Sequence, residues 1–291
     1  MLGKNNIVNV MTVDVEDYYH VSAFSDVISK SDWGKYESRV ANNTKILLEL
    51  FSDFKIKSTF FVLGWVAERN PDLIRDIAGE GHEIASHGYS HQLIYNQTRE
   101  KFKEETLRSK HILEDIIQKP VNGYRAASYS ITQKSKWALD ILAEIGFEYD
   151  SSIFPIRHDR YGIPEATTKP HLITTQAGNC IIEYPLSTLK IFGYSLPVAG
   201  GGYFRLYPYA LTKLALERIN KQNEPFIFYL HPWEIDPEQP KINASYLSKF
   251  RHYNNLHKCR TRLSKLLSEF KFDTVSNVLK NYDLFGKDSR N

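Results

Sequence analysis

Two histidines stand four residues apart in Ser86-His87-Gly88-Tyr89-Ser90-His91. On one helical turn that spacing puts both imidazoles on the same face, and such a pair is half of a zinc-type site. Two histidines in a polar loop would leave the same trace. Gly88 stands where the zinc-protease helix motif needs Glu, so that motif is excluded. Asp14, Glu16 and Asp17 crowd the end of an apolar run. Carboxylates so close repel one another unless a cation or an arginine compensates; a solvated strand end is the plainer alternative. One carboxylate with two histidines makes a three-ligand site with a position open to water. A metal there lowers the pKa of bound water to roughly 7 and polarises a carbonyl. A second nearby carboxylate could take the proton.

Three more residues could complete such a site. Arg125, in Gly123-Tyr124-Arg125-Ala126-Ala127-Ser128-Tyr129, sits at an apolar strand end and wants a carboxylate partner. His231 ends the apolar run Phe226 to Leu230 and precedes Pro232, which stops a strand. A histidine there has the right intrinsic pKa for general acid work, although a hydrogen-bonded core histidine would read alike. Asp150 is the candidate to orient it.

The elements that must position these residues alternate along the chain. Ile7–Val15, Lys57–Leu63, Glu83–Ser86, Gly123–Ala126, a strand starting at Phe147–Tyr149, Cys180–Tyr184, Thr188–Phe192 and Phe226–Leu230 read as strands. Helical spacing covers Ser38–Phe54, a segment opened by Asn70-Pro71 and closed near Gly79, Thr98–Ile117 capped by Thr98, Thr132–Ile145 with Thr132 as cap and Gly146 as stop, Tyr209–Asn220 and Tyr253–Phe270. Residues 151–178 read as a long functional loop, and Gly200-Gly201-Gly202 as a flexible turn. Repeated strand-helix units imply a parallel sheet, open or rolled into a barrel. In barrels, chemistry sits at the C-terminal ends of strands, and each polar cluster above follows one. The expectation is a single domain over residues 1–291 with a C-terminal helical extension from about 250.

Composition fits this class. The 291 residues are 42% hydrophobic and 24% charged, enough for a core. A net charge of +3 without like-charge runs argues against a nucleic-acid partner. Cys180 and Cys259 form no CxxC pair; two free thiols in a reducing compartment is the simpler reading, and a disulfide between them is the alternative. The most apolar stretch, residues 60–67, is far short of the ~18 residues of a membrane span. With no secretory pattern at the N-terminus, the expected location is cytoplasmic.

In order along the chain, the clusters resemble the polysaccharide deacetylase family with the NodB homology domain, a group related to carbohydrate esterase family 4. The resemblance runs from about Asn6 to Trp233. Thr12 to Asp17, Ser86 to His91, Arg125 to Tyr129, Asp150 to Phe154 and Leu230-His231 are similar to its five motifs. Tyr161-Gly162-Ile163-Pro164, Gly200 to Arg205 and His231 to Pro237 look closer still to the deacetylases of exosortase-associated exopolysaccharide loci. Three positions depart from the family pattern: the usual Asp-Asp becomes Asp14-Val15-Glu16-Asp17, a usual Pro is Ala127, and a usual Trp is Phe154 or its neighbourhood.

The resemblance implies an α/β fold, a distorted (β/α) barrel of the NodB type, and metal-dependent removal of N-acetyl groups from an amino-sugar polymer. It implies Asp14 as base held by Arg125, His87 and His91 as ligands with Glu16 ahead of Asp17, and His231 as acid oriented by Asp150. A backbone N–H near Ser128 or Tyr129 would face the oxyanion. Tyr129, Ser128, Trp233 and Tyr203 are the candidate sugar contacts. The donor set suits zinc, ahead of nickel or cobalt. The expected substrate is an N-acetylated exopolysaccharide or a lipid-linked precursor met at the inner membrane face, with no transmembrane segment. Two rivals are a hydrolase of a small cyclic or linear amide on the same fold, and a non-catalytic carbohydrate-binding protein.

Overall fold

The computed structural model describes residues 7–282 and 284, apart from Asp159 and Gln176. Asn6, where the family resemblance begins, and residues 285–291 of the expected extension lie outside the described residues.

The strands are β1 (Val8–Val15), β2 (Thr59–Val62), β3 (Glu83–Ser86), β4 (Gly123–Tyr124), β5 (Tyr149–Asp150), β6 (His171–Thr174), β7 (Cys180–Glu183), β8 (Thr188–Ile191), β9 (Tyr194–Pro197), β10 (Ile227–Leu230) and β11 (Lys271–Asp273). The helices are α1 (Val40–Asp53), α2 (Gly64–Arg69), α3 (Pro71–Gly79), α4 (Arg99–Ile117), α5 (Trp137–Ile145), α6 (Gly201–Leu206), α7 (Tyr209–Asn220), α8 (Tyr246–Tyr253), α9 (Leu256–Glu269) and α10 (Val275–Leu279).

The main sheet runs β10-β1-β2-β3-β4-β5-β7-β6, with β11 also paired to β1. Its neighbours are parallel except β6 against β7. β1 is buried along almost its whole length, as a parallel strand covered on both faces must be. Its side chains alternate with period two. Met11, Val13 and Val15 join the core under the helices. Val10 joins an inner cluster with Phe61, Ala85, Tyr149, Ile182 and Ile227. Thr12 and Asp14 share that inner face.

Residues 184–200 close the circuit. Tyr184 N–H donates to Asp150 O beside β5, and at the far end Tyr229 N–H of β10 donates to Ala199 O. Gly200 bridges Tyr229 in parallel. Its φ of 137°, and a Tyr229 oxygen 2.0 Å from where a Cβ would stand, require glycine. The sheet is thereby rolled into a distorted barrel.

Several elements differ from the sequence expectation. α5 starts at Trp137, because Thr132 and Ser135 form a side-chain-bonded turn instead of a cap. Thr98 does cap α4, accepting from Lys101 N–H. Gly201 opens α6 rather than lying in a turn. α2, α8 and the edge strand β6 fall where periodicity is weak. The C-terminal segment is more than a helical extension: β11 enters the sheet beside β1, and Phe272 and Val275 are buried.

Candidate active site

The site gathers at the C-terminal ends of the parallel strands. Asp14 is near the end of β1, and Glu16 follows through a tight turn in which its N–H donates to Asp14 O. Arg125, just past β4, is fully buried. Its guanidinium donates to Asp14 Oδ1 at 2.7 Å, Thr12 Oγ1 at 2.8 Å, and Ser151 Oγ and O at 3.0 Å. It also lies 4.0 Å from the centre of the Phe61 ring. One Asp14 oxygen is thus fixed, and the other, Oδ2, lies 3.9 Å from His231 Nε2.

His87 and His91 converge without a helical turn, contrary to the spacing argument. His87 N–H extends the β3 ladder to Val62 O, and Gly88 then turns at φ 73°. Gly88 and Tyr89 carbonyls receive the first N–H groups of α2, and His91 adopts φ 50°. The rings end 5.4 Å apart. His87 Nδ1 lies 2.8 Å from Arg125 O, so it carries the proton and leaves Nε2 with a free lone pair. Burial lowers the His87 pKa to about 4, keeping it neutral. Ligand atoms of Glu16, His87 and His91 all lie within 4.8 Å of one another, and Glu16 Oε2 is 2.8 Å from His91 Nε2. Burial opposes ionisation of Glu16, but His91, His231 and His87 hold its carboxyl well below the usual range. A neutral imidazole with its proton anchored, beside a second imidazole and an ionised carboxylate, fits a divalent cation.

Asp17, the alternative ligand, is committed elsewhere. Its Oδ2 accepts from Ser38 Oγ, Arg39 N–H and Val40 N–H, and Oδ1 from Tyr18 N–H. The carboxylate caps the N-terminus of α1 from a distance, where orphan N–H groups need an acceptor. The tight turn after β1 makes the split: it sends Glu16 to the pocket with Asp14 and turns Asp17 away.

His231 is oriented by Glu234, not by Asp150. Glu234 Oε1 lies 2.8 Å from His231 Nδ1 and accepts the His231 N–H at 3.0 Å, tying the ring to its own backbone. Arg205 Nε donates to the other Glu234 oxygen at 2.6 Å. Burial would lower the His231 pKa, but Glu234, Glu16 and Asp14 outweigh it and raise it to about 9. Glu234, which burial alone would raise, is held down to about 2 by Arg205 and His231. Asp150 lies inside the barrel, accepting from Ser152 Oγ at 2.5 Å and facing Glu183. Burial raises both carboxyls, Asp150 to about 6 and Glu183 well above its ordinary value. Glu234 was missed because a helix-opening glutamate three residues after a candidate cap has an ordinary local reading. Arg205 was missed because its partner is 29 residues away.

The proposed sugar contacts divide. Tyr129, Ser128 and Tyr203 line a cavity of about 460 Å³ together with Asp14, Glu16, His87, His91 and His231. Trp233 also reaches it, but offers no free face. Its ring lies between His231 at 5.0 Å and His252 at 4.1 Å, both stacked, and Nε1 donates to Glu16 Oε1 at 3.4 Å. It props the His231 ring and the Glu16 carboxylate. Tyr129 N–H donates to Ala126 O, which leaves the Ser128 N–H as the candidate oxyanion donor. Ser128 and Tyr129 both have positive φ, 50° and 54°, so this turn is held in an uncommon conformation.

Residues 29–149 match the polysaccharide deacetylase family, and residues 151–280 match a domain of unknown function, DUF3473. Residues 29–149 are therefore similar to a polysaccharide deacetylase domain. A peptidoglycan-N-acetylglucosamine deacetylase of Bacillus cereus is 33% identical over 78 residues, 27% of this chain and 37% of that protein. The chain spans about a third of the length of the first curated relatives it matches, 37% and 36%. A protein from Mycobacterium smegmatis assigned to the polysaccharide deacetylases superposes with a TM-score of 0.61 at 18% identity, over 95% of this chain and 91% of that one. Puue allantoinase gives 0.62 at 15% identity, over 97% and 92%. At these identities the likeness is one of fold. His87, His91 and Arg125 fall in the first matched region, and His231, Glu234 and Arg205 in the second.

Proposed function

We propose that the protein is a metal-dependent N-deacetylase that hydrolyses N-acetyl groups of an amino-sugar polymer. The observation that carries this reading is the convergence of Asp14, Glu16, His87, His91 and His231 on one cavity. Glu16, His87 and His91 would hold one divalent cation, with zinc the best chemical match and nickel or cobalt compatible. When bound, it would polarise the acetamide carbonyl and make water more acidic.

The chain's own residues account for the proton traffic. Asp14, fixed through Oδ1 by Arg125, presents Oδ2 to take a proton from the attacking water. Water adds to the acetamide carbon, and the Ser128 N–H faces the developing oxyanion. His231, protonated and locked by Glu234, donates from Nε2 to the amine nitrogen as the C–N bond breaks. Acetate and a free amino sugar result. The relatives named as peptidoglycan and chitooligosaccharide deacetylases support the bond class.

An exopolysaccharide or its lipid-linked precursor, met in the cytoplasm at the inner membrane face, completes the reading. Two free cysteines, one exposed, suit a reducing compartment. Among the described residues, no helix is long and apolar enough to cross a membrane. Asp14→Asn and His231→Ala are expected to abolish acetate release from chitooligosaccharides without unfolding the chain, and a chelator to silence activity until metal is restored. Full activity in either purified variant would remove this scheme.

A further inference from the structure

The cavity has two walls of opposite character. On the catalytic wall every carboxylate is matched. Asp14 meets Arg125 at 2.7 Å, Glu234 meets Arg205 at 2.6 Å and Glu16 meets His91 at 2.8 Å. The outer wall carries Arg160, from the loop after β5, and Arg251, on α8. Both are exposed. Among the described residues, no carboxylate pairs with either guanidinium. Leu247, Phe250 and Arg251 lie at i, i+3 and i+4 on α8, so they form one stripe, and all three line the cavity. Leu247 and Phe250 are 55% and 45% exposed. Tyr161, next to Arg160 in sequence, lines the same cavity and feels the charge of Arg251.

A guanidinium with no carboxylate partner among the described residues, lining a cavity, is a fork for carboxylate or phosphate oxygens. Two of them lining the cavity that also holds Asp14 and His231 are placed to meet an anion on the sugar chain that enters it. We propose that Arg160 and Arg251 form an anion-binding lip, so that the preferred substrate is an N-acetylated sugar carrying a negative charge next to the reacting residue. This rests on the deacetylase reading. The charge has two chemical sources, the carboxylate of a neighbouring uronate or the diphosphate of a carrier-linked sugar.

The test uses the metal-loaded full chain and three probes. Chitotetraose is neutral, a hyaluronan tetrasaccharide alternates N-acetylglucosamine with glucuronate, and UDP-N-acetylglucosamine carries a diphosphate. Acetate release is measured as kcat/KM for each. At least one anionic probe should exceed chitotetraose about tenfold, the scale of one charge-assisted bond, and raised salt should shrink that advantage. Arg160→Ala and Arg251→Ala should each cut the ratio of anionic to neutral kcat/KM about tenfold. The probe that gains identifies the source of the charge. A ratio near one for both anions, or one unmoved by either substitution, overturns the proposal.

If no probe releases acetate, the deacetylase reading fails, and calorimetry then decides the lip. An anionic probe must bind more tightly than chitotetraose and lose about tenfold in the double variant. Equal binding of all three probes overturns the lip as well.

Discussion

Glu234→Gln separates the observed relay from the one the motif order implied. The substitution keeps shape and removes charge. In the native site one oxygen holds both His231 Nδ1 and the His231 N–H, while the other accepts from Arg205. An amide has one acceptor oxygen. If it keeps facing His231, its NH2 group confronts the Arg205 donor; if it flips, His231 loses its anchor. Either way a buried charged donor goes unpaired, which costs about 3 kcal/mol. At roughly 2–4 °C per kcal/mol for a chain of this size, the melting temperature should fall about 6–12 °C.

Catalysis should suffer more. A positioned general acid supplies about 10²–10⁴-fold, and a misaimed imidazole with a weakened proton forfeits much of it. We expect kcat to fall about 100-fold at unchanged KM, because Glu234 acts on the acid and not on bound substrate. Removing the carboxylate also lowers the His231 pKa, so the alkaline limb of the rate profile moves to lower pH. Asp150→Asn should stay within about tenfold of wild type, far short of the loss of a general acid. Acetate release measured across pH, beside thermal unfolding, reads all of this. Wild-type kcat in Glu234→Gln together with a collapse in Asp150→Asn would refute the relay.

Two other changes follow from where carboxylates sit. Asp17→Ala should lower stability by about 1–2 kcal/mol through the lost α1 cap, yet bind metal in unchanged stoichiometry; Glu16→Gln should lose the metal. Metal analysis and thermal unfolding of the two purified variants check this, and metal loss in Asp17→Ala would return that residue to the site. Asp150 and Glu183 have folded pKa values raised by burial, so the folded chain holds protons that the unfolded chain releases. Their contribution to stability is fully present below the ordinary carboxylate range, and is lost as pH rises through about 6 and beyond. Glu183→Gln should therefore gain on wild type between pH 5 and pH 8, seen as a narrowing or reversed difference in melting temperature. A constant offset across that range would show that the pair does not share a proton.

The sequence by itself determined the central parallel strands and where chemistry follows them. Buried parallel strands need apolar runs, so β1, β3 and β10 were legible, as were α4 with its Thr98 cap and α7. It also named the groups that reach the cavity, Asp14, Glu16, His87, His91 and His231, because their order along the chain resembles the family's motifs. Tertiary structure alone decided which carboxylate serves which partner. Glu16 and Asp17 are adjacent, and only the folded turn sends one to the histidines and the other to α1. The sequence pointed to Asp150 as the partner of His231 and gave no sign of Glu234, because only barrel closure buries Asp150 against Glu183 and brings Arg205 to Glu234. Periodicity reports which face a residue occupies, whereas a hydrogen-bond partner from distant sequence depends on how the chain closes.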